Sequence, residues 1–539
     1  MHKNRNLWTI WGFARTVVEA GSAKSEVGSL PGRAPCFKEI EGKTGAKMGV
    51  RSWDQVHYEC WMPGFRLSTS DFRLAHFLAL AALLFTSCSQ NIYPDRSQFL
   101  KDGDPVPTIN LSYYKSVQER PGQDSTLAVA MAISGGGSRA SNFGIGIMLG
   151  LEQINTGGGQ NMLNQVDYLS TVSGGGFAAG SYVSALYEHR FFNRQELFRL
   201  GDYLNRQIRE DLAFPYAGVI VRANFNPMLW FSMADDGDAL ERSIDEHVLG
   251  YRRRAKEVKR KPQSLLLGDF FIPINSREPV RFPMHITNSS TLNTMTIFPF
   301  TPDILKEYRI NGYTHRLAKV VQDTLDPFQV PLAVGIKSSA SFPVLISNTT
   351  LHSTYSALRP FLPLIDGAMT DNIGYHTALQ ILKQEKAPRK ILLIVDADAA
   401  GNRYTFSKRE GAVFSLSVMG RLPSSGLDAR RATLVRDIRD VCRQYGITPV
   451  FFSFNELLED ADAPLRVEIN IKEEQKRLIH LFREQKQLLP SDRQSLYELL
   501  THISTKLTIT DEEQELLLYA GQLIVKMQEP EISLALKRK

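Results

Sequence analysis

Short apolar runs alternate with glycine-rich turns in the middle of the chain. STLAVAMAI, residues 125–133, has the length and composition of a buried parallel strand, and SGGG follows it directly. FGIGIMLGLEQI, residues 143–154, suits a helix with a glycine-lined face. A second strand is predicted over residues 166–172 and a second helix over residues 177–189. Strand, glycine turn and helix in repeated order predict a βαβ arrangement, and therefore an α/β fold.

The same pattern returns later in the chain and then gives way to helices. KILLIV, residues 390–395, predicts another strand. A helix is predicted over residues 427–445 and a further strand over residues 447–454. From residue 471 onward the apolar positions follow helical spacing, so the C-terminal part is expected to be helical.

Domain boundaries follow from these changes of pattern. The α/β body is expected over residues 125–455 and a helical appendage over residues 456–539. Residues 88–124 are polar and contain several prolines, which predicts a tether in front of the folded body. The chain has 539 residues, of which 43% are hydrophobic and 22% charged, and this composition excludes a disordered or collagen-like protein.

Charge and cysteine content limit the partners of the chain. The formal net charge is +6, but residues 1–87 hold eleven Lys and Arg against seven Asp and Glu, so only +2 remains beyond them. No nucleic-acid partner is predicted from that balance. The four cysteines form no C-x-x-C pair, and neither histidines nor carboxylates cluster at ligand spacing near the motifs below. We therefore predict no metal and no other cofactor.

Cys88 ends a run that resembles a bacterial lipoprotein signal. Arg66 and Arg73 supply a positive region, and residues 74–85 supply an apolar core that is too short to span a membrane. The small residues before the cysteine resemble a lipobox, whose cysteine is lipidated and becomes the mature N-terminus. Ser89 follows where an inner-membrane lipoprotein would carry Asp, which by analogy indicates the outer membrane of a bacterial envelope. A plain signal peptide and a buried apolar segment are the alternatives.

The position of this signal is unusual. A signal peptide begins near the start of a chain, yet residues 1–61 precede this one and show no clear hydrophobic period. We expect translation to start at Met62, or alternatively at Met48. Residues 62–87 are then the signal peptide, and residues 1–61 are a mis-annotated N-terminal extension.

DYLSTVSGGGF, residues 167–177, places one serine between an apolar run and three glycines. A serine hydroxyl becomes a nucleophile when a base takes its proton and its side chain stands clear of the backbone. A sharp turn from strand to helix exposes a serine in this way and demands small neighbours, which the three glycines provide. Thr171 stands where the common G-x-S-x-G pattern has its first glycine. Ser173 is therefore a candidate nucleophile, and a simple turn is the alternative.

SGGGSR, residues 134–139, follows the first predicted strand and precedes a helix. Consecutive glycines at such a place turn backbone N–H groups inward, where they stabilise an oxyanion together with the helix N-terminus. The candidate donors are Gly135, Gly136 and Gly137. A plain turn and a phosphate loop are the alternatives, but the motif lacks both the Gly-Lys-Ser/Thr ending of a P-loop and G-x-G-x-x-G spacing.

LIDGAMTDNIG, residues 364–374, carries the third candidate. Asp366 follows an apolar run and precedes Gly367, so its carboxylate is expected at the end of a strand in a tight turn. Asp-Gly is also the commonest turn dipeptide, and a turn without chemistry is the alternative.

Together these motifs resemble those of the patatin-like phospholipase family. The family's oxyanion motif resembles residues 135–139, its nucleophile elbow resembles residues 171–175, and its aspartate motif resembles residues 366–368. AVGIKSSASFPVLI, residues 333–346, is similar to a block of small residues that precedes the aspartate motif in the family. The order of the motifs also matches, and the resemblance covers about residues 125–400.

The resemblance implies a patatin-like three-layer α/β/α fold with a mainly parallel central sheet. It also implies a Ser-Asp dyad in which Ser173 attacks the acyl carbonyl and Asp366 is the general base. The amides of residues 135–137 would hold the oxyanion, and Arg139 would stabilise that loop or a substrate phosphate. The implied activity is hydrolysis of fatty-acyl esters of phospholipids or lysophospholipids at a bacterial membrane.

Two other classes of protein stay open. His285, His315 and His376 are the histidines that would complete a Ser-His-Asp triad in an esterase or peptidase of another α/β fold. A non-catalytic, membrane-anchored lipoprotein that keeps the fold as a binding module is the other alternative.

Two further segments each have two interpretations. FPYAGVIVRANFNPMLWFSM, residues 214–233, either lines an acyl channel or contacts lipid, or it belongs to the core. YRRRAKEVKRK, residues 251–261, is either a solvated helix face or a surface for anionic phospholipid headgroups.

Overall fold

A mixed β-sheet with helices packed on it forms the centre of the protein. The structure is a computed structural model that describes residues 107–192, 197–226, 235–257, 263–315, 318–319, 325–343, 345–355, 359–398, 431–458, 470–484 and 488–537. All of them belong to one compact unit, Leu100–Lys539. The predicted signal peptide with Cys88, and the extension before it, lie outside the described residues.

The five strands that apolar runs predicted are present, whereas the sequence analysis did not predict the other strands in the described part of the chain. β1 (Leu127–Ile133) is such a predicted strand, and all seven of its side chains are apolar and buried, which suits a parallel strand covered on both faces. The strands are β1 (Leu127–Ile133), β2 (Asn155–Gly157), β3 (Gln160–Asn161), β4 (Tyr168–Thr171), β5 (Met284–Thr291), β6 (Ile297–Phe300), β7 (Ile310–His315), β8 (Ala318–Lys319), β9 (Thr349–Ser353), β10 (Phe361–Asp366), β11 (Arg389–Asp396) and β12 (Ile447–Ser453).

One sheet contains all of these strands except the β2–β3 pair. In the described part of the chain its order is β12-β11-β1-β4-β5-β10-β9-β7-β8, and β6 pairs with β5. The neighbours from β12 to β5 are parallel, while the pairs beyond β5 are antiparallel. The predicted α/β class is confirmed, and both predicted glycine turns lie in the parallel half of the sheet.

The predicted helices are present, together with further helices that the sequence analysis did not predict. They are α1 (Gly137–Glu152), α2 (Gly174–Phe191), α3 (Leu200–Tyr203), α4 (Arg209–Ala213), α5 (Tyr216–Asn224), α6 (Asp236–Ser243), α7 (Tyr251–Glu257), α8 (Leu267–Phe270), α9 (Pro302–Glu307), α10 (Leu332–Ser339), α11 (Tyr375–Gln384), α12 (Arg431–Gln444), α13 (Ile471–Arg483), α14 (Pro490–His502) and α15 (Asp511–Lys537). Among the helices that the structure describes, none is both long enough and apolar enough to cross a membrane.

The predicted tether is shorter than expected, because its C-terminal part packs on the body. The Tyr114 side chain is 2% exposed, and its hydroxyl donates to Asp303 Oδ1 at 2.6 Å. The buried Arg120 guanidinium donates to the carbonyl oxygens of Asn164 and Val166 at 2.9 and 2.8 Å. The interpretation of residues 107–124 as tether is therefore wrong. Apolar and aromatic side chains between the prolines anchor this stretch, and the proline pattern concealed them.

The C-terminal helices pack against the α/β body. α15 crosses α1 so closely that a Cβ atom on Gly146 would lie 2.6 Å from the carbonyl oxygen of Leu518. A Cβ atom on Gly521 would lie 2.5 Å from the carbonyl carbon of Gly146. The Gln514 amide donates to Asn142 Oδ1 at 2.9 Å in the buried interface. The region is helical as predicted, and the glycine-lined face of α1 is the surface on which it packs.

Candidate active site

Ser173 stands on a sharp turn between β4 and α2. Its backbone has φ +48° and ψ −118°, a left-handed value of φ that residues other than glycine rarely adopt. Ser173 is half-buried, whereas Val172 before it and the three glycines after it are buried. The chain therefore makes the sharp strand-to-helix turn that the sequence pattern predicted here.

The glycines after Ser173 allow α2 to approach the neighbouring loop. A Cβ atom on Gly174 would lie 2.2 Å from the carbonyl oxygen of Gly137, and one on Gly175 would lie 2.4 Å from that of Ile133. Both contacts are with rigid backbone, so neither position accepts a side chain without a shift of the chain. Because these glycines have no side chain, the two glycine motifs can pack closely against each other.

The backbone of Ser173 is held by a residue that the sequence analysis did not single out. The N–H of Ser173 donates to the hydroxyl of Ser339 at 2.9 Å, and that hydroxyl donates to the carbonyl of Asn288 at 2.5 Å. The Asn288 amide in turn donates to the carbonyl of Thr171 at 3.2 Å. Ser339 is buried at the end of α10, within the small-residue block over residues 333–346. Ser339 was therefore within a noted motif, but nothing in the pattern distinguished it from its neighbours.

Asp366 is the last residue of β10 and is 2% exposed. Its Oδ1 accepts the N–H of Ala368 at 2.9 Å, which closes the turn expected for Asp-Gly. A Cβ atom on Gly367 would lie 2.1 Å from the carbonyl oxygen of Asn288, so the glycine is required by a close approach. The N–H of Asp366 donates to the carbonyl of Ser341 at 2.9 Å.

Strand register brings Ser173 and Asp366 together. Thr171 pairs with Thr287 of β5, so Ser173, two residues further on, is level with Ser289. Ser289 pairs with Asp366 on the other side of β5. At this level the Ser173 side chain lies close enough to the Asp366 carboxylate to influence its acidity.

The environment of Asp366 changes its acidity. Burial raises the pKa of Asp366 to about 6, while the hydrogen bond from the Ala368 N–H and the nearby Ser173 hydroxyl act in the opposite direction. A carboxylate whose pKa lies nearer to neutrality is a better general base than an exposed aspartate, because it holds a proton more strongly once it has accepted it.

The glycine loop lies beside Ser173, but Gly135 does not have the expected role. Its N–H donates to the carbonyl of Asn372 at 2.9 Å and is therefore engaged. The prediction of Gly135 as an oxyanion donor is wrong for this reason. Gly136 and Gly137 have φ of +136° and +59°, values that turn the chain from β1 into α1. Their amides are the remaining candidates, and Gly137 lines the cavity at Ser173.

Arg139 fixes this loop to the C-terminal region. Its guanidinium is 5% exposed and donates to the carbonyl of Ile503 at 2.8 Å and to Asp398 Oδ1 at 3.3 Å. The N–H of Ser138 donates to the carbonyl of Lys506 at 2.8 Å. Of the two roles predicted for Arg139, these contacts support stabilisation of the loop.

The candidate histidines are directed elsewhere. His285 is fully buried and places Nε2 3.2 Å from the Thr171 hydroxyl, and burial lowers its pKa to about 3. His376 places Nδ1 3.1 Å from Asp371 and Nε2 2.9 Å from the Tyr375 hydroxyl. The side chain of His315 lies outside what the structure describes. These contacts disfavour His285 and His376 as members of a triad with Ser173 and Asp366.

A narrow cavity opens at Ser173. Its apolar lining includes Phe177 of α2, Leu212 of α4, Tyr216 of α5 and Leu507 of the segment between α14 and α15. Tyr216 belongs to the apolar stretch over residues 214–233, and at this position the stretch is part of the core and also lines the cavity. Residues 227–233 lie outside the described residues. In the part of the chain that is described, no group of three or more His, Cys, Asp or Glu residues is arranged to hold a metal ion.

The basic run over residues 251–261 is partly internal. Arg253 forms ion pairs with Glu188, at 3.3 Å, and with Asp211. Arg254 is 1% exposed, and its guanidinium lies 3.9 Å from Glu188. These two arginines are therefore not available to lipid headgroups, and residues 258–261 lie outside the described part.

Four features of this site together define a class of hydrolase-like folds. They are the α/β sheet, the serine on a strand-to-helix turn, the aspartate at the end of a strand and the glycine loop. Residues 131–379 match the family model described as patatin-like phospholipase. These residues, which make up less than half of the chain, are thus similar to the patatin-like phospholipase family, and the predicted patatin-like fold is confirmed. No curated protein matches the sequence significantly.

Solved structures show weaker similarity. Human GIVD cytosolic phospholipase A2 has 13% identity and a TM-score of 0.39, and the alignment covers 77% of this chain and 63% of that one. The same human enzyme with methyl γ-linolenyl fluorophosphonate and terbium chloride has 15% identity, a TM-score of 0.35 and coverages of 77% and 60%. VipD from Legionella pneumophila has 11% identity, a TM-score of 0.22 and coverages of 77% and 89%. The chain thus spans less than two thirds of the human enzyme.

Proposed function

We propose that this protein is a serine lipid acyl hydrolase that uses Ser173 as nucleophile and Asp366 as general base. The observation that carries the proposal is the strand register that places Ser173, on a turn with φ +48°, beside the buried Asp366 carboxylate. A serine next to a base, in a cavity flanked by a glycine loop, is an arrangement suited to acyl transfer.

Acylation begins when Ser173 Oγ attacks the carbonyl carbon of an ester. As the C–O bond forms, the hydroxyl proton passes to Asp366, and the carbonyl oxygen becomes an oxyanion. The amides of Gly136 and Gly137 stabilise that oxyanion in a site largely closed to water. The tetrahedral intermediate then collapses, Asp366 returns the proton to the leaving alcohol, and an acyl-serine remains.

Deacylation repeats the steps with water. Asp366 accepts a proton from the water molecule that attacks the acyl-serine, and the proton returns to Ser173 Oγ as the ester breaks. The products are a free fatty acid and the original serine. Neither half-reaction requires a group other than water and the residues named.

Fatty-acyl esters of phospholipids or lysophospholipids are the proposed substrates. The family description of residues 131–379 supports a lipid substrate, and the apolar lining of the cavity agrees with an acyl chain. The polar end of the substrate would leave toward solvent as the alcohol.

The decisive test is release of free fatty acid from mixed phospholipid vesicles by the purified full-length chain. Wild type, Ser173→Ala and Asp366→Asn are compared, with circular dichroism as the control for folding. Loss of at least about a thousandfold in both folded variants is expected. An Asp366→Asn chain with wild-type activity would exclude this aspartate as base. An inactive wild type on phospholipids, lysophospholipids and simple esters would favour a binding lipoprotein instead.

We also propose that Cys88 is lipidated and anchors the protein in a bacterial envelope, in the outer membrane. The support is the order of positive region, apolar core, small residues and cysteine described above. Metabolic labelling of the protein in bacteria with an alkyne analogue of palmitate should mark the wild type and leave Cys88→Ser unmarked. Equal labelling of both chains would contradict the anchor.

A further inference from the structure

The cavity at Ser173 is too small for the substrate class proposed above. Its volume is about 20 Å³. A cavity needs about 10–15 Å³ to hold one water molecule, so this one has room for a water and not for a fatty-acyl chain. Part of the cavity wall must therefore move before a long chain can enter.

Most of the wall is held rigidly. Phe177 belongs to α2, which packs on the sheet, and its ring contacts that of Tyr216 edge to face at a centroid distance of 5.2 Å. Tyr216 is 2% exposed, and its hydroxyl donates to the carbonyl of Asp211 at 2.9 Å. Leu212 is likewise 2% exposed. Displacing any of these side chains would disturb the core.

Leu507 differs from these lining residues. It lies in the irregular segment between α14 and α15, and its side chain is half-buried against the edge of the core. Among the described residues that line the cavity, it is the large side chain outside a helix. A rotation of this side chain moves an apolar wall without breaking a hydrogen bond or a helix.

The backbone that carries Leu507 is nevertheless well fixed. Lys506 accepts the Ser138 N–H through its carbonyl, and its ammonium group lies 2.8 and 2.9 Å from the two carboxylate oxygens of Glu513. Gly137 packs so closely on Lys506 that a Cβ atom would lie 2.4 Å from the Lys506 carbonyl oxygen. The segment is thus built onto the glycine loop, and these contacts hold the backbone that carries Leu507 in place beside the loop.

We propose that Leu507 is the specificity-determining residue for acyl-chain length. Its side chain closes the acyl site in the state described here and admits a long chain only when it is displaced. This inference rests on the proposed acyl-hydrolase function. Leu507 lies outside residues 131–379, so the selectivity would be supplied by the C-terminal region of this chain and not by the matched domain.

The test compares p-nitrophenyl butyrate and p-nitrophenyl palmitate as substrates of the full-length chain. Leu507→Ala should raise kcat/KM for palmitate relative to butyrate by about tenfold, and Leu507→Trp should lower the same ratio by about tenfold. Ile509→Ala is the matched control, because Ile509 is a half-buried apolar residue of the same segment that does not line the cavity. An unchanged ratio in both Leu507 variants, or an equal change in the control, would overturn the proposal.

A binding measurement separates this proposal from the proposed chemistry. Palmitate and butyrate are titrated against Ser173→Ala chains that carry either Leu507, Leu507→Ala or Leu507→Trp. Tighter palmitate binding with alanine and weaker binding with tryptophan would support the role of Leu507 even if no ester were hydrolysed. Palmitate binding that is the same in all three chains would overturn it even in an active enzyme.

Discussion

The hydroxyl of Ser339 accepts a hydrogen bond from the backbone N–H of Ser173 at 2.9 Å. Two residues further along, the carbonyl of Ser341 accepts the N–H of Asp366 at 2.9 Å. The end of α10 therefore holds the backbone of both proposed catalytic residues. This shared support explains how a serine with φ +48° and an aspartate from a distant strand keep a fixed distance.

Ser339→Ala should lower kcat by about 10- to 100-fold and change KM less. The reason is that the turn at Ser173 loses the hydrogen bond that holds it, while the cavity is unchanged. Ser338→Ala is the matched control. Ser338 is the adjacent buried serine of α10, and its hydroxyl bonds to that of Ser289 at 2.9 Å. Each variant should lose about 1 kcal/mol of stability for each hydrogen bond that its hydroxyl makes, which is two bonds for Ser339 and one for Ser338. Equal kcat values in the two folded variants would show that Ser339 has only a structural role.

The activity should depend on the ionisation of Asp366. Below its pKa of about 6 the carboxyl group is protonated and cannot accept the serine proton, so log kcat/KM should rise with unit slope up to about pH 6 and then level off. The measurement is the hydrolysis rate of a short ester against pH, with circular dichroism at each pH as the folding control. A rate that is constant across about pH 5–7 in a folded protein would contradict the assignment of Asp366 as base.

Asp366→Asn should stabilise the protein at neutral pH while it abolishes activity. The folded-state pKa of about 6 is above the ordinary value of 3.8, so the folded state holds its proton more tightly than the unfolded state does. Ionisation of Asp366 therefore lowers the free energy of unfolding as the pH rises from about 4 to 6. Above about pH 6 this loss of stability stays constant, on the order of 3 kcal/mol. Denaturant unfolding should give the variant a higher free energy of unfolding than wild type at about pH 8, and this difference should largely disappear at about pH 4. A variant that is less stable than wild type at pH 8 would refute this account.

Gly137→Ala should abolish activity, since the added Cβ atom would lie 2.4 Å from the carbonyl oxygen of Lys506 and would separate the glycine loop from the C-terminal segment. Gly158→Ala is a close control, because Gly158 has φ +60° against +59° for Gly137 and has open space around its Cβ position. The control should cost only about 1–2 kcal/mol for the left-handed backbone and should keep full activity. Ester hydrolysis and thermal unfolding measure the two effects, and an active Gly137→Ala chain would contradict the close approach.

Gly521→Ala should destabilise the whole domain by about 1–3 kcal/mol, because α15 must move away from α1 to accommodate a methyl group. Gly218→Ala on α5 is the control. The nearest atom to its Cβ position is 3.9 Å away, so the substitution should stabilise the helix by up to about 1 kcal/mol. A single cooperative transition, shifted in opposite directions by the two variants, would show that the C-terminal helices unfold with the body. A separate early transition in Gly521→Ala would show that they do not.

Local sequence determined the elements on which the site is built. β1 and β11 contain apolar runs, because a strand buried on both faces favours apolar side chains, whereas β5 is parallel to β4 and consists largely of buried polar residues. The two glycine motifs were equally visible, since tight turns and close backbone contacts exclude side chains. Ser173 and Asp366 were recognisable because each stands at the end of such a run beside glycine. These signals are local, and one sequence is enough to read them.

Tertiary structure decided what these motifs contact. The engaged Gly135 amide, the Ser339 anchor and the position of Leu507 beside Ser173 all depend on partners that are distant in the chain. The packing of residues 107–124 and of α15 on the body was hidden for the same reason. Composition and periodicity report which face of an element is buried, whereas hydrogen-bond partners depend on strand register and on which helices meet. Those are properties of the assembled fold, and no local pattern in this sequence specifies them.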